Sequence, residues 1–330
     1  MDPYSLEVGE LLSGVFLVAD AKFQVDRRGQ NYYSLLLNYE AGHQIEAKVW
    51  SDNVGARLEP GLGIEVMARV DEYMGARQLN VQRYRILSAG DFDVSRFIRT
   101  TSINVEEAFE TLFNWARDEF QNPCFQRLML EFHGSESFAR EFKESPAAST
   151  RHHNYRGGLI EHTLDVWTLA DDLCAHYAGR FERELLLCAA ALHDIGKTKT
   201  YSLSSGVSQH TDVGHLLDHV FISASMVSNM WDRVVTKKVA EPLGERAALC
   251  KTLLLHIILS HHGKLQWGAP VLPQTPEAIL IHYCDQVSAS LQSCFDVLAA
   301  RPAGEKWTQK LSIMDEARRF FEEPDAKDQP

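Results

Sequence analysis

Thirteen of the fourteen histidines fall between His133 and His282, and several stand beside carboxylates or beside one another. The segments are "GGLIEHTLDV" with His162, "ALHDIGK" with His193 and Asp194, "GHLLDHV" with His215 and His219, "ILSHHGKL" with His261 and His262, and "IHYCDQV" with Asp285. Neutral imidazoles mixed with carboxylates suit Mn²⁺, Fe²⁺, Co²⁺ or Zn²⁺ better than Ca²⁺ or Mg²⁺, which favour all-oxygen sites. The chemistry open to such a set is hydrolysis assisted by two metal ions, with an aspartate next to a histidine able to bridge them. A lone histidine is more often a satisfied core or surface group, and His256, His176, His43, His133 and His210 are read that way.

Both doublets, His193-Asp194 and His261-His262, close an apolar helical run and precede a glycine, the residue favoured just past a helix end. The last turn of a helix carries partial negative charge and free carbonyls, so cations placed there gain from the dipole as well as from their ligands. Two such ends converging predict a compact dicationic centre.

The elements that position these residues follow from periodicity. Residues 9 to 90 read as β-structure: "GVFLVADAKFQV", "YYSLLLNYE", "HQIEAKVWS", "GIEVMARVDEYM" and "ARQLNVQRYRIL" are short runs rich in β-branched and aromatic residues, split by turn signals such as "RRGQN", "EAGH" and "EPGLG". Five strands in this length suit a small barrel of the OB type, whose open face commonly takes single-stranded nucleic acid. From Asn104 onward the apolar residues fall at helical spacing, and Asn104 with Glu107 resembles a capping box.

Composition bounds the rest. The chain has 330 residues, 45% of them apolar, which is enough for two or more domains. Its formal net charge of −12 excludes a general charge-driven binder of polyanions, and the first ninety residues hold nine Lys and Arg against twelve Asp and Glu. A nucleic-acid enzyme with a local basic track and metal ions stays open. No apolar run reaches the length of a membrane span, and "MDPYSLEVGE" carries acid where a signal peptide would carry positive charge. The expectation is a cytoplasmic protein with no membrane partner. Six cysteines without CxxC spacing are expected to be reduced core thiols.

The order H…HD…H…HH…D resembles the HD-domain superfamily of metal-dependent phosphohydrolases in its seven-ligand, two-metal form. More narrowly, "HHNYRGGLIEHTLDV", "ALHDIGK", "GHLLDHV", "LSHHGKLQWGAPVLPQTPEAILIHYCDQVSA", "IEAKVW" and "EYMGARQL" look like the YhaM family of 3′→5′ exoribonucleases over roughly residues 9 to 300. The resemblance implies an α+β multidomain chain: a five-stranded OB-type β-barrel followed by an all-α HD-domain helical bundle. The corresponding boundaries are 1–90 for the barrel, 91–145 for a linker and helical segment, 146–321 for the HD domain and 322–330 for a loose tail. It implies His162, His193, Asp194, His219, His261, His262 and Asp285 as ligands of two divalent ions, Mn²⁺ foremost, with Asp194 bridging and Lys197 reaching a substrate phosphate. His219 is chosen over His215 because the family places its histidine just before a V-x-I segment.

Further contacts are expected around this set. His152, His153 and Arg156, before the "GG" turn, are candidates for substrate phosphates. His282 shares a helix face with Asp285, and Glu161 lies beside His162. In the barrel, Tyr32, Trp50 and Tyr73, with Phe23, are candidates to stack on bases, although alternation puts Tyr32 and Tyr33 on opposite faces. Arg77, Arg83 and Arg85 read as a solvated edge or a phosphate track. The reading is therefore a hydrolase, a metal-dependent 3′→5′ exoribonuclease acting on single-stranded RNA and open to DNA and to homo-oligomer formation. Two alternatives are an HD phosphodiesterase acting on small nucleotides or cyclic dinucleotides, and a binding module without catalysis. The first lacks the glycine-tyrosine-proline motif of one cyclic-dinucleotide class, and the second gives no reason for seven ligands.

Overall fold

The computed structural model describes residues 2–50, 55–73, 76–88, 90–149, 153–203, 206–299 and 306–308. Strands β1 (Leu11–Val25), β2 (Asn31–Asn38), β3 (Gln44–Trp50), β4 (Gly63–Tyr73) and β5 (Ala76–Ile86) close into a barrel in the order β1-β2-β3-β5-β4. Strand β1 serves both ends of the sheet: Leu11–Leu17 pair with β4 and Leu17–Val25 pair with β2, with a register shift between Val18 and Asp20 where the strand bends. The parallel pairing of β3 with β5 completes the OB-like topology that the strand count suggests.

Alternation fills the barrel. Leu35, Leu37, Ile45, Ala47, Val49, Ile64, Val66, Ala68, Val70, Leu79 and Val81 point inward and are buried. Tyr33 joins this core, while its neighbour Tyr32 stays on the outside against Trp50, ring centroids 5.0 Å apart.

The helical unit contains α1 (Val105–Phe113), α2 (Ala116–Glu119), α3 (Pro123–His133), α4 (Glu136–Glu144), α5 (Gly158–His176), α6 (Arg183–Leu192), α7 (Lys197–Thr200), then, after a short hairpin of β6 (Tyr201–Ser202) and β7 (Gln209–His210), α8 (Asp212–Val234), α9 (Lys237–Ala240), α10 (Arg246–Ser260) and α11 (Pro276–Ala299). Asn104 caps α1, accepting from the amides of Glu106 and Glu107. Residues Leu185–Leu192 of α6 are buried in succession, as a helix apolar all round must be when it runs through the middle of a core.

The chain divides into two compact units, Met1–Ser102 with Tyr201–Thr211, and Ile103–Thr200 with Asp212 onward. This differs from the boundaries read in the sequence. Within the segment read as linker and helices, 91–145, the residues up to Ser102 group with the barrel, and Phe109, Phe113, Phe132, Phe138 and Phe142 from α1, α3 and α4 share one core with Leu159, Leu186 and Ile257. The β6–β7 hairpin, which the sequence reading does not separate from the helices, groups with the barrel. The tail at 322–330 and the preceding residues from 309 lie outside the described residues. All six cysteines are free thiols, five of them buried. No helix among the described residues is long and apolar enough to cross a membrane.

Candidate metal centre

The buried helix α6 ends at His193, and α10 ends at His261, so both doublets sit at helix C-termini. The glycines that follow differ in purpose. Gly263 has φ +74 and stops α10 in the left-handed conformation, with no room for a Cβ against the His282 ring. Gly196 has no such backbone. A Cβ there would lie 2.3 Å from the His219 carbonyl oxygen and 2.6 Å from the Ser223 amide, so this glycine lets α8 approach the His193-Asp194 turn. The Ser223 hydroxyl accepts from the Gly196 amide at 2.8 Å and fixes that approach.

Two groups of side chains result, His162, His193, Asp194 and Asp285 in one, and His219, His261 and His262 in the other. In the first, His162 Nε2 lies 3.2 Å from Asp285 Oδ1 and 3.4 Å from Asp194 Oδ2, and His193 Nε2 lies 3.3 Å from the same Oδ2. In the second, His219 Nε2 and His262 Nε2 are 3.1 Å apart. Asp194 Oδ1 faces this second group, 3.4 Å from His219 Nε2 and 3.5 Å from His261 Nε2. One buried carboxylate thus turns an oxygen toward each group.

The other ring nitrogens show which proton each imidazole carries. Nδ1 of His193, His261 and His262 donates to the main-chain carbonyls of Ala190, Ile258 and Trp267 at 2.8, 2.7 and 2.7 Å. His219 Nδ1 donates to Asp218 Oδ1 at 2.7 Å. His162 Nδ1 lies 3.0 Å from Ser288 Oγ, whose own proton goes to Asp165 Oδ2. A neutral imidazole that donates from Nδ1 presents a lone pair at Nε2. Five Nε2 atoms and two carboxylates therefore converge in a buried space where, among the described residues, His193 Nε2 and Asp194 Oδ1 have no hydrogen-bond partner. Lone pairs facing each other repel, and two nitrogens on one ion with bonds of about 2.1 Å would stand roughly 3.0–3.4 Å apart. The residues present fit divalent cations.

Electrostatics agrees. Burial pushes the Asp194 carboxyl up, but the Lys197 ammonium, 2.6 Å from Oδ2, and His193 outweigh it and hold the group well below the usual range. Burial likewise opposes ionisation of Asp285, and a hydrogen bond from His162 outweighs it; burial lowers His162 in turn, but Asp194 and Asp285 hold it above the ordinary histidine value, with a proton that a cation there would displace. Burial and the neighbouring imidazole keep His261 below the ordinary histidine value, and His262 is lowered by burial and by His219, so the neutral form of both is favoured.

The structure separates His219 from His215 sharply. Sequence spacing suggests a shared helix face, but α8 is broken at Asp218, with φ +61 and ψ 153, so His219 turns inward while His215 remains exposed. A carboxylate residue held in that backbone region is strained, and it is the one whose side chain holds His219 Nδ1. His219→Ala is expected to weaken metal binding by more than about a hundredfold, beyond what loss of an outer partner costs, and His215→Ala to leave it within about twofold. Metal titration by calorimetry reads the difference, and the reverse order would remove His219 from the set.

Other expected residues fall into different places. Lys197 is buried at the centre, against Asp194. His282 donates to the His261 carbonyl at 2.8 Å and supports a ligand through its main chain. Glu161 accepts from the Tyr155 hydroxyl, which faces His153 Nδ1 at 3.0 Å. His153 is not on an open loop: it is fully buried, has φ +53, and its ring lies 5.6 Å from that of His162. His153 is shielded from solvent, whereas Arg156 is exposed. His152 lies outside the described residues. In the barrel, Tyr73 is exposed and Lys48 Nζ stands 4.5 Å from its ring and 5.9 Å from that of Tyr32. Phe23 is exposed and packs on Tyr33. Arg77 is engaged by the carbonyls of Tyr4 and Leu6, and Arg85 by Glu65 in an exposed pair.

Asp218, Ser288, Asp165 and Lys48 are absent from the sequence reading. Asp165 and Ser288 stand three residues after His162 and Asp285, on the same helix faces, so helical spacing alone could have marked them.

Comparison with known proteins agrees with this layout. The HD domain family matches residues 159–290. The 3'-5' exoribonuclease YhaM of Bacillus velezensis is 31% identical over 319 residues, covering 96% of each chain. That of Bacillus subtilis is 31% identical over 324 residues, again with 96% of each chain covered. That of Halalkalibacterium halodurans is 29% identical over 328 residues, covering 98% of this chain and 96% of its own.

Proposed function

Given that the chain belongs to the YhaM family of 3'-5' exoribonucleases, we propose that it is a metal-dependent phosphodiesterase that removes nucleotides from the 3′ end of single-stranded RNA. The observation that carries the reading is Asp194, one carboxylate with an oxygen turned to each of two histidine groups. His162, His193, Asp194 and Asp285 would hold one divalent ion, and His219, His261 and His262 with Asp194 the other. Such a pair, when bound, lowers the pKa of a water and neutralises charge on the reacting phosphate. The nitrogen-rich donor set favours Mn²⁺, Fe²⁺, Co²⁺ or Zn²⁺, with Mn²⁺ our choice.

The protein's own part is preorganisation. Main-chain carbonyls, Ser288 and Asp218 hold the five imidazoles in one tautomer before substrate arrives. Lys197, buried, offers its ammonium to a non-bridging phosphate oxygen, where a low local dielectric strengthens it. Arg156 is placed to meet a further phosphate. The barrel captures the strand: Tyr32, Trp50 and Tyr73 with Lys48 between them form an outward patch of rings and a cation, suited to bases and backbone. On α11, Tyr283, Val287, Leu291 and Phe295 recur every four residues and are exposed, which supports a homo-oligomer.

The test is purified protein with Mn²⁺ and an end-labelled single-stranded RNA, beside single-stranded DNA and a cyclic dinucleotide. Stepwise shortening from the 3′ end is expected on RNA. Turnover of the cyclic dinucleotide alone would replace this reading with the small-nucleotide one. The barrel's role has its own measure. Replacing Tyr32 and Trp50 by alanine removes two stacking contacts of ~1–3 kcal/mol each, so affinity for a long strand is expected to fall about a hundredfold, while the rate on a dinucleotide stays within about twofold. Equal losses on both substrates would take these rings out of strand capture.

A further inference from the structure

The turn that follows the His261-His262 doublet carries a tryptophan with its ring in the open. Trp267 is 45% exposed. Its main-chain carbonyl accepts from His262 Nδ1 at 2.7 Å, which ties residue 267 to a member of the second histidine group. That tie needs no indole, because any residue at this position supplies a carbonyl. The Lys264 ammonium lies 3.9 Å from the centre of the Trp267 ring, and Leu265 between them is 62% exposed. The His282 ring stands 6.3 Å from the indole at 43°, and the Lys264 side chain, which is free to swing, covers one face. A half-exposed indole and a cation, both tethered beside the histidine groups, match the two parts of a nucleotide: a base that stacks in place of the lysine and a phosphate that meets its charge.

We infer that Trp267 and Lys264 seat the 3′-terminal nucleotide of the substrate, the indole stacking on the terminal base and the ammonium meeting the adjoining phosphate. The inference rests on the exoribonuclease reading above and adds to it a seat for the leaving nucleotide within the helical unit. Stacking accepts any base, so the seat reads the presence of a base rather than its identity. It makes no demand on the barrel patch.

The experiment uses the full-length Mn²⁺-loaded protein and a pair of short RNA substrates whose 3′ residue either carries its base or is abasic. For the wild type, kcat/KM is expected to favour the base-bearing end by about tenfold, the size of one stacking contact. Trp267→Ala is expected to lose that preference by slowing on the base-bearing substrate alone, with metal content unchanged, and Trp267→Phe to keep most of it. Lys264→Ala is expected to raise KM for both substrates by a common factor and leave their ratio intact. Should Trp267→Ala lose metal, the ratio is read in Trp267→Leu, which keeps bulk without a ring. A wild-type ratio near one, or a ratio preserved in the alanine or leucine variant, would overturn the seat. Failure of the metal-loaded wild type to cleave either substrate is a different result, and it would overturn the exoribonuclease reading together with this inference.

Discussion

Asp194→Asn is expected to lower the rate of RNA hydrolysis by about a thousandfold or more while leaving the helical fold in place. The reason is geometric. Asp194 Oδ2 faces His162, His193 and Lys197, and Oδ1 faces His219 and His261. Asparagine keeps the volume but offers one carbonyl oxygen, so it can serve one group of ligands and turns an N–H donor toward the other. A cation is repelled there. Loss of a single preorganised charge-stabilising group already costs about 10²–10³ in rate, and here the shared ligand of both ions is affected. Circular dichroism, bound metal and the rate on end-labelled RNA form one data set. Normal turnover by a folded, fully metal-loaded variant would sink the two-ion arrangement.

Metal removal is expected to have the second large effect, and it should register as heat stability even without substrate. In the metal-free protein, Nε2 lone pairs face one another and face carboxylates inside a buried space, an arrangement that binding a cation relieves. At free Mn²⁺ a hundredfold above Kd, each site adds ~2.7 kcal/mol of stability, reduced by whatever the unfolded chain's histidines bind. In a unit of this size ~1 kcal/mol moves Tm by about 2–4 °C. Two sites together are expected to raise Tm by roughly 10–20 °C over chelator-treated protein. Differential scanning calorimetry across a Mn²⁺ series reads this, with Asp194→Asn showing a much smaller rise. A wild-type Tm indifferent to Mn²⁺, Co²⁺ and Zn²⁺ would count against a metal centre at these residues.

The sequence makes much of this centre legible because its signals are local. An apolar run that ends in two polar groups marks both α6 and α10, and five short alternating strands mark the barrel. What stays hidden depends on approach between distant elements. Gly196 looks like a helix stop, yet it serves close packing against α8, 23 residues further along at His219. Asp218 gives no sign that it leaves the helical region, since aspartate is only modestly prone to positive φ, and the break it causes decides which of His215 and His219 turns inward. Lys48 sits in an ordinary strand pattern, and only the β2–β3 register brings it beside the ring of Tyr32. The helices from Asn104 are legible as helices, but their aromatic faces reveal their partner only once α5 and α6 are packed against them.

The partners of the five Nδ1 atoms have a consequence for how this centre can vary. For His193, His261 and His262 the partner is a main-chain carbonyl, which no side-chain substitution can delete. Their orientation is therefore insulated from sequence drift as long as α6 and α10 end where they do. His162 and His219 alone lean on side chains, Ser288 in one group and Asp218 in the other. On the two-ion reading each metal position would have one adjustable handle: a hydroxyl, itself backed by Asp165, behind the first and a carboxylate in direct contact behind the second. A carboxylate makes its imidazole a stronger electron donor than a hydroxyl does. The two halves of the centre would then differ in basicity, and a change at position 218 or 288 would act first on the ion of its own group and reach the other only through Asp194.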